Sequence, residues 1–135
     1  MTVKFHKSLA IKNREVNFLF ERYSKLSDIN SKLKSLLVND VKQVLENSWG
    51  IFPEDFVKNH IFNAEEMLLA RESGVCVGLC VMSVRNVLGL KVHYIEFLLV
   101  DRKFQGYGLG NFLSQRMIQS EIIKNLFSIL AGESL

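Results

Sequence analysis

Val100-Asp101-Arg102-Lys103-Phe104-Gln105-Gly106-Tyr107-Gly108-Leu109-Gly110-Asn111 is the stretch that decides how this chain is read. An apolar run from Tyr94 to Val100 leads into it, and apolar residues at helical spacing lead out of it from Leu109. A strand, a glycine-rich turn and a helix start together make an anion site. The first-turn N–H groups of a helix lack intrahelical acceptors, and the helix dipole favours negative charge there. Glycines let the backbone come close to a phosphate. The expected ligand therefore carries phosphate.

Upstream, three strands at short spacing precede the loop. Met67 to Arg71 is a short apolar strand, and Glu72-Ser73-Gly74 is a turn. Val75 to Val84 is a valine-rich strand with Gly78 inside it, Asn86 to Leu90 is a turn, and Lys91 to Val100 is a longer strand. Short turns between consecutive strands predict an antiparallel meander. Downstream, Leu109, Phe112, Leu113, Met117, Ile118 and Ile122 make one apolar helix face, which is expected to pack on the sheet.

The N-terminal half reads as one strand followed by helices. Val3 to Leu9 alternates as a strand. Glu15 to Leu26 fits two periods: Val16, Phe18 and Phe20 alternate, whereas Val16, Leu19, Phe20 and Tyr23 share a helical face. The helical reading is preferred, with Asn13 as its cap. Ser27 to Ser31 is a turn rich in capping residues. Lys32 to Trp49 is a helix with a stripe of Leu33, Leu36, Leu37, Val41, Val44 and Leu45, closed by Gly50. Pro53 opens a short helix that runs to about Phe62.

At 135 residues the expectation is a single domain over 1–135, and 48% hydrophobic with 23% charged residues is ordinary for a globular protein. No apolar run is long enough to span a membrane, and Met1 to Lys7 lacks a signal-peptide core, so a cytoplasmic location and no membrane partner are expected. A net charge of +3 is too small to point to nucleic acid. Cys76 and Cys80 lie four apart in a strand and are expected on one face as buried, reduced thiols. His6, His60 and His93 lack metal spacing, so no metal is expected.

Phosphate loops differ in their fixed positions. A Walker loop ends in Gly-Lys-Ser/Thr, but Gly110 is followed by Asn111 and Phe112. A dinucleotide fingerprint has glycine first, third and sixth, but Asn111 holds the sixth place after Gly106 and Gly108. Gln105-Gly106-Tyr107-Gly108-Leu109-Gly110, by contrast, satisfies every fixed position of Gln/Arg-x-x-Gly-x-Gly/Ala. That is the acyl-CoA pyrophosphate loop of the GNAT family of N-acetyltransferases, which this chain resembles over about Glu66 to Glu121. Leu68 to Gly78 is similar to the family's second and third strands with their hairpin.

The resemblance implies an α/β (α+β) fold, a mixed and mostly antiparallel sheet flanked by helices. It implies an N-acyltransferase that takes an acetyl group from acetyl-CoA to a primary amine by direct attack. Backbone groups of Leu98, Leu99 and Val100 would pair with the pantetheine arm as an added strand does. Backbone N–H groups of Gly106, Tyr107, Gly108, Leu109, Gly110 and Asn111 would hold the pyrophosphate, with Gln105 bordering the loop. Arg102 stands where the family often has proline. Arg102 and Lys103 either attract the anionic cofactor or are simply solvated charges.

Acyl transfer to an amine needs a base for the amine proton and stabilisation of the carbonyl and thiolate. Direct attack requires no cysteine nucleophile. Glu96 is the leading base candidate: strand alternation puts it on one face with Tyr94, Leu98 and Val100. The competing reading is that Glu96 pairs with a basic residue. Tyr94 is a second catalytic candidate, and His93 points to the opposite face.

The family fold continues past this helix with a further strand, helix and hairpin, which commonly supply an asparagine and an acidic tyrosine. Here the chain ends at Leu135, Ser128 to Leu135 reads as one short strand, and no tyrosine follows Tyr107. The expectation is a C-terminally truncated member whose open sheet edge is closed by a homodimer partner. A non-catalytic acyl-CoA-binding or protein-interaction module is the alternative.

Overall fold

A computed structural model of the chain describes residues 2–50, 54–61 and 63–130. The elements run β1 (Thr2–Ile11), β2 (Arg14–Ser24), α1 (Ser31–Ser48), α2 (Glu54–Ile61), β3 (Glu66–Glu72), β4 (Val75–Val87), β5 (Leu90–Val100) and α3 (Leu109–Leu130). The five strands form one open sheet in the order β1-β2-β3-β4-β5, and every pairing among the described residues is antiparallel. Helix α1 lies against β4 and β5 on one side, and α3 lies against β3, β4 and β5 on the other. The expected α+β class, an antiparallel sheet flanked by helices, is what the chain adopts.

The preferred helix over Glu15 to Leu26 is a strand instead. Lys12 and Asn13 both take positive φ, 51° and 63°, and Ile11 pairs with Arg14. That is a two-residue hairpin, so Asn13 is its corner and not a helix cap. The period of two wins because both faces of β2 are buried. Phe18 and Phe20 pack fully buried in the α3 layer, while Tyr23 packs in the α1 layer. A helix would have grouped Phe20 with Tyr23. Phe5 stacks on Phe20, with ring centroids 5.1 Å apart, and so extends the aromatic layer to β1.

Helix α1 follows its sequence signals. The Asn30 Oδ1 accepts a 2.8 Å bond from the Leu33 N–H, and Gly50, with φ 130°, donates its N–H to the Leu45 carbonyl. Leu37, Val41, Val44 and Leu45 are buried as expected, joined by Val38, but Leu36 faces solvent. On α3, Leu109, Leu113 and Met117 are fully buried, whereas Ile118 and Ile122 are exposed. Residues 128–130 complete α3 and are not a terminal strand, and 131–135 lie outside the described residues. Helix α2 occupies the expected place, while Pro53 and Phe62 fall outside the described residues. Strand β4 runs past Val84 to Val87 and turns at Leu88-Gly89, a tighter turn than Asn86 to Leu90.

A bulge in β4 overturns the shared face of the two cysteines. Ala70 pairs with Gly78 and Arg71 with Cys76, so Val77 is the extra residue. The alternation slips by one, and Cys76 joins the α1 layer while Cys80 joins the α3 layer. Gly78 is required by packing. A Cβ there would sit 3.1 Å from Leu113 Cδ1 and 3.3 Å from Leu109 Cδ2, so glycine lets α3 approach the sheet.

An ionic cluster joins the α1 layer to the sheet. Arg71 on β3 donates to Glu21 on β2 and makes a two-pronged contact with Asp40 on α1, at 3.1 and 2.6 Å. Burial pushes the Glu21 carboxyl up, but hydrogen bonds and charge from Arg71 and Lys4 outweigh it and hold the group below its ordinary value of 4.5. Its contribution to stability is therefore full above pH 4.5 and lost as pH falls through the lower folded value. Arg71→Met takes the main partner from buried Glu21, which keeps Lys4, and the two-pronged contact from half-buried Asp40. Urea unfolding at pH 7 should show a loss of about 3 kcal/mol, shrinking towards pH 3 as the carboxylates protonate. A loss that stays constant across that range would contradict this assignment.

Candidate active site

The glycine loop begins where β5 ends, and Asp101 sets that junction. Its backbone N–H donates to the Val77 carbonyl at 2.8 Å, which carries the sheet ladder one residue past β5. Its buried carboxylate accepts from the Lys103 backbone N–H at 2.9 Å and from Asn47 Nδ2, on α1, at 3.2 Å. The chain then makes one 3-10 turn, Arg102–Phe104, and buries Phe104 edge-on to Phe18, with centroids 5.5 Å apart. Neither Asp101 nor Asn47 stood among the sequence candidates. The Asp101-x-Lys103 turn was legible as a local Asx turn, but the Asn47 contact links residues 54 apart in sequence.

Beyond Phe104 the loop is displayed to solvent. Gln105, Gly106, Tyr107 and Gly108 are all exposed. Gln105 Nε2 donates to the Val100 carbonyl at 2.8 Å, so this side chain braces the loop against the strand end. Gly106 and Gly108 adopt φ 85° and 90°, a region that side chains with a Cβ enter only with strain. The first helical bond of α3 runs from the Phe112 N–H to the Gly108 carbonyl at 2.9 Å. The N–H groups of Leu109, Gly110 and Asn111 therefore precede the intrahelical ladder and point out of the helix start. A Cβ at Gly106 or Gly108 would meet nothing within 4 Å, so the space over these amides is open. The loop thus offers room, exposed N–H groups and a helix dipole, which together fit a phosphate group. Arg102 and Lys103 are exposed beside it.

Leu98, Leu99 and Val100 pair with Cys80, Leu79 and Gly78. Among the described residues nothing pairs with the other edge of β5, so its outward backbone groups are available to a ligand or another strand. Leu98 and Val100 lie beside the start of α3, within 3.9 and 3.4 Å of a Cβ built on Gly110.

Glu96 is the residue that a second bulge inserts. Val81 pairs with Phe97 and Met82 with Ile95, so Glu96 has no partner across the ladder. This corrects the simple alternation. Glu96 and Tyr94 both touch Arg85: Arg85 donates to Glu96 Oε1 at 2.6 Å and lies 5.4 Å over the Tyr94 ring. Leu98 and Val100 fall instead on the α3 side. The Glu96 carboxylate thus carries an ion pair with a basic residue. His93 pairs with Val84, away from this group. Arg85 was not among the sequence candidates, because its reach to Glu96 depends on strand register. The bulge carboxylate stands about 13 Å along β5 from Val100, where the glycine loop begins.

Among the described residues no group of three or more His, Cys, Asp or Glu side chains converges to hold a metal, and no helix is long and apolar enough to cross a membrane.

The frame of the site is a layered helix–sheet–helix fold with a glycine loop between an edge strand and a long helix. The acetyltransferase (GNAT) family model matches residues 36–125, and the chain belongs to this family. The reaction class that follows is acyl transfer. Solved structures share the fold. One is the aminoglycoside N-acetyltransferase AAC(6')-Iy in complex with CoA, with TM-score 0.55 and 16% identity over 90% of this chain and 91% of that one. Another is a probable acetyltransferase from meticillin-resistant Staphylococcus aureus, with TM-score 0.52 and 13% identity over 78% of this chain and 70% of that one. A third is the glucosamine N-acetyltransferase region of a fungal multi-domain GH3 beta-N-acetylglucosaminidase, with TM-score 0.62 and 20% identity. This match covers 78% of the present chain but only 12% of the fungal one. No curated protein matches the chain.

The cysteines take no part in this site. Burial pushes the thiols of Cys76 and Cys80 up to about 12. Both should stay unreactive to Ellman's reagent at pH 8 in the folded protein and react promptly once it is unfolded in guanidinium. Fast labelling of the native protein would show that one of them is an accessible thiolate.

Proposed function

We propose that the protein is an N-acetyltransferase that takes acetyl-CoA as co-substrate and acetylates a primary amine by direct attack. The observation that carries this reading is the open, glycine-built loop at the start of α3, placed at the end of an unpaired strand edge in a GNAT chain. When bound, acetyl-CoA supplies the thioester. The outward backbone groups of Leu98 and Val100 hold the pantetheine arm as an added strand, while Leu99 between them turns its N–H and C=O to Leu79. N–H groups of Gly106 to Asn111 hold the pyrophosphate, and Gln105 keeps the loop seated on Val100.

Two residues before Leu98 on the same strand, Glu96 takes the proton that the amine loses as its nitrogen bonds to the acyl carbon. Tyr94 flanks the incoming nitrogen. The C–S bond then breaks and the thiolate leaves, to be protonated by solvent. The acceptor is an amine of unspecified structure. The edge of β5, unpaired among the described residues, also supports a homodimer in which a second copy covers it.

A second reading, an acyl-CoA-binding module without catalysis, is favoured by one observation: Arg85 engages the Glu96 carboxylate. Thiol release from acetyl-CoA with a panel of primary amines separates the two, because only the enzyme releases CoA.

Three variants test the roles. Gly108→Asp puts a carboxylate at the phosphate position and should weaken acetyl-CoA binding by at least about tenfold, read as a lost rise in Tm. Gly108→Asn carries nearly the same shape without the charge and tolerates positive φ, so it should retain more of the affinity. Equal binding by wild type and Gly108→Asp would remove the loop from the cofactor site. Glu96→Gln should lower kcat by about 10² or more while leaving the acetyl-CoA Tm shift unchanged. Full turnover by that variant would exclude Glu96 as the base.

A further inference from the structure

Arg85 reaches Glu96 in an unusual way. Its cross-strand partner is Val92, whereas Glu96 sits at the bulge, opposite the step from Val81 to Met82. The side chain therefore runs back along the strand, crosses the Tyr94 ring at 5.4 Å and ends on Glu96 Oε1 at 2.6 Å. A guanidinium held between an aromatic face and a carboxylate marks a place where positive charge is favoured. The two walls of that place are set by the fold. Tyr94 belongs to the paired ladder opposite Ser83, and Glu96 is projected by the bulge with its side chain 21% exposed. The occupant is not set by the fold, because the Arg85 side chain is 62% exposed on a flexible stem. An exposed ion pair of this kind is weak and opens readily.

We propose that Tyr94 and Glu96 form the cradle for the ammonium group of the acceptor, and that Arg85 occupies it in the resting protein as an internal competitor. The acceptor is then a cationic primary alkylamine. Its ammonium displaces the Arg85 guanidinium, sits over the Tyr94 ring and bonds to the Glu96 carboxylate. Arg85 swings into solvent, where its charge is fully hydrated. The inference rests on the proposed acyl transfer for the identity of the ligand, but the cation site itself does not require turnover.

The test is therefore a binding measurement without acetyl-CoA. The protein contains three tyrosines, so tyrosine-labelled protein gives three ring signals by NMR, and Tyr94→Phe assigns the one needed. n-Butylammonium chloride is the probe and n-butanol its uncharged counterpart. Removing the competitor with Arg85→Ala should tighten n-butylammonium binding about tenfold, equivalent to about 1.4 kcal/mol, with the shift centred on the Tyr94 ring. Arg85→Gln, which keeps most of the stem, should do the same and serves if the alanine variant is unstable. Adding Glu96→Gln to either should abolish the gain, and n-butanol should bind alike to all forms.

Binding by Arg85→Ala or Arg85→Gln that is no tighter than wild type would overturn the proposal. So would a shift away from Tyr94, or equal tightening for n-butanol. Failure of the acyl-transfer reading would appear separately, as no CoA release by wild type with any amine while the cation still binds.

Discussion

The site depends on a buried carboxylate at the end of an edge strand. Asp101 spends its backbone N–H on Val77 and its two oxygens on Lys103 and Asn47. Strand, loop and helix α1 are thereby fixed to one another through a single side chain. A buried carboxylate left unbonded would be costly, so these partners make the junction a rigid start for the loop. From there Phe104 enters the core, and two glycines at positive φ turn the chain into α3. Gly78 completes the arrangement from the sheet side, since any larger residue would push away the helix whose amides the loop displays.

Two bulges then decide what each face of the sheet carries. The extra Val77 shifts the alternation of β4 and sends its two cysteines into different layers. The extra Glu96 shifts the alternation of β5. It frees one carboxylate from the ladder and places it with Tyr94 and Arg85, away from the α3 side where Leu98 and Val100 lie. An edge strand can hold such a bulge at modest cost, because pairing is lost on one side only. The same strand thus presents edge backbone groups near its end and, from its middle, a charged side chain.

Much of this was legible locally. The spacing Gln105-x-x-Gly108-x-Gly110 between an apolar strand and an amphipathic helix identifies the loop, because its geometry is made by neighbours in sequence. Asn30 and Gly50 mark the ends of α1 for the same reason. The β2 segment was not legible, since Val16, Leu19, Phe20 and Tyr23 satisfy a helical period as well as a strand's. Only burial on both faces, between β1 and β3 and between two helix layers, selects the strand. Ile118 and Ile122 misled in the opposite direction: their spacing fits an apolar face of α3, but both are exposed while Leu109, Leu113 and Met117 are buried.

The sequence by itself therefore determined the family and the strand-loop-helix unit, both products of short-range spacing. The tertiary structure alone decided which residues share a face and which meet. Cys76 and Cys80 part, Arg85 finds Glu96 and Tyr94, and Asn47 finds Asp101, because strand register and helix docking bring together groups that spacing along the chain does not relate. A one-residue slip in pairing reverses every side chain beyond it. The slip at Val77 parts the cysteines, and the slip at Glu96 separates the site predicted from alternation from the one the fold builds.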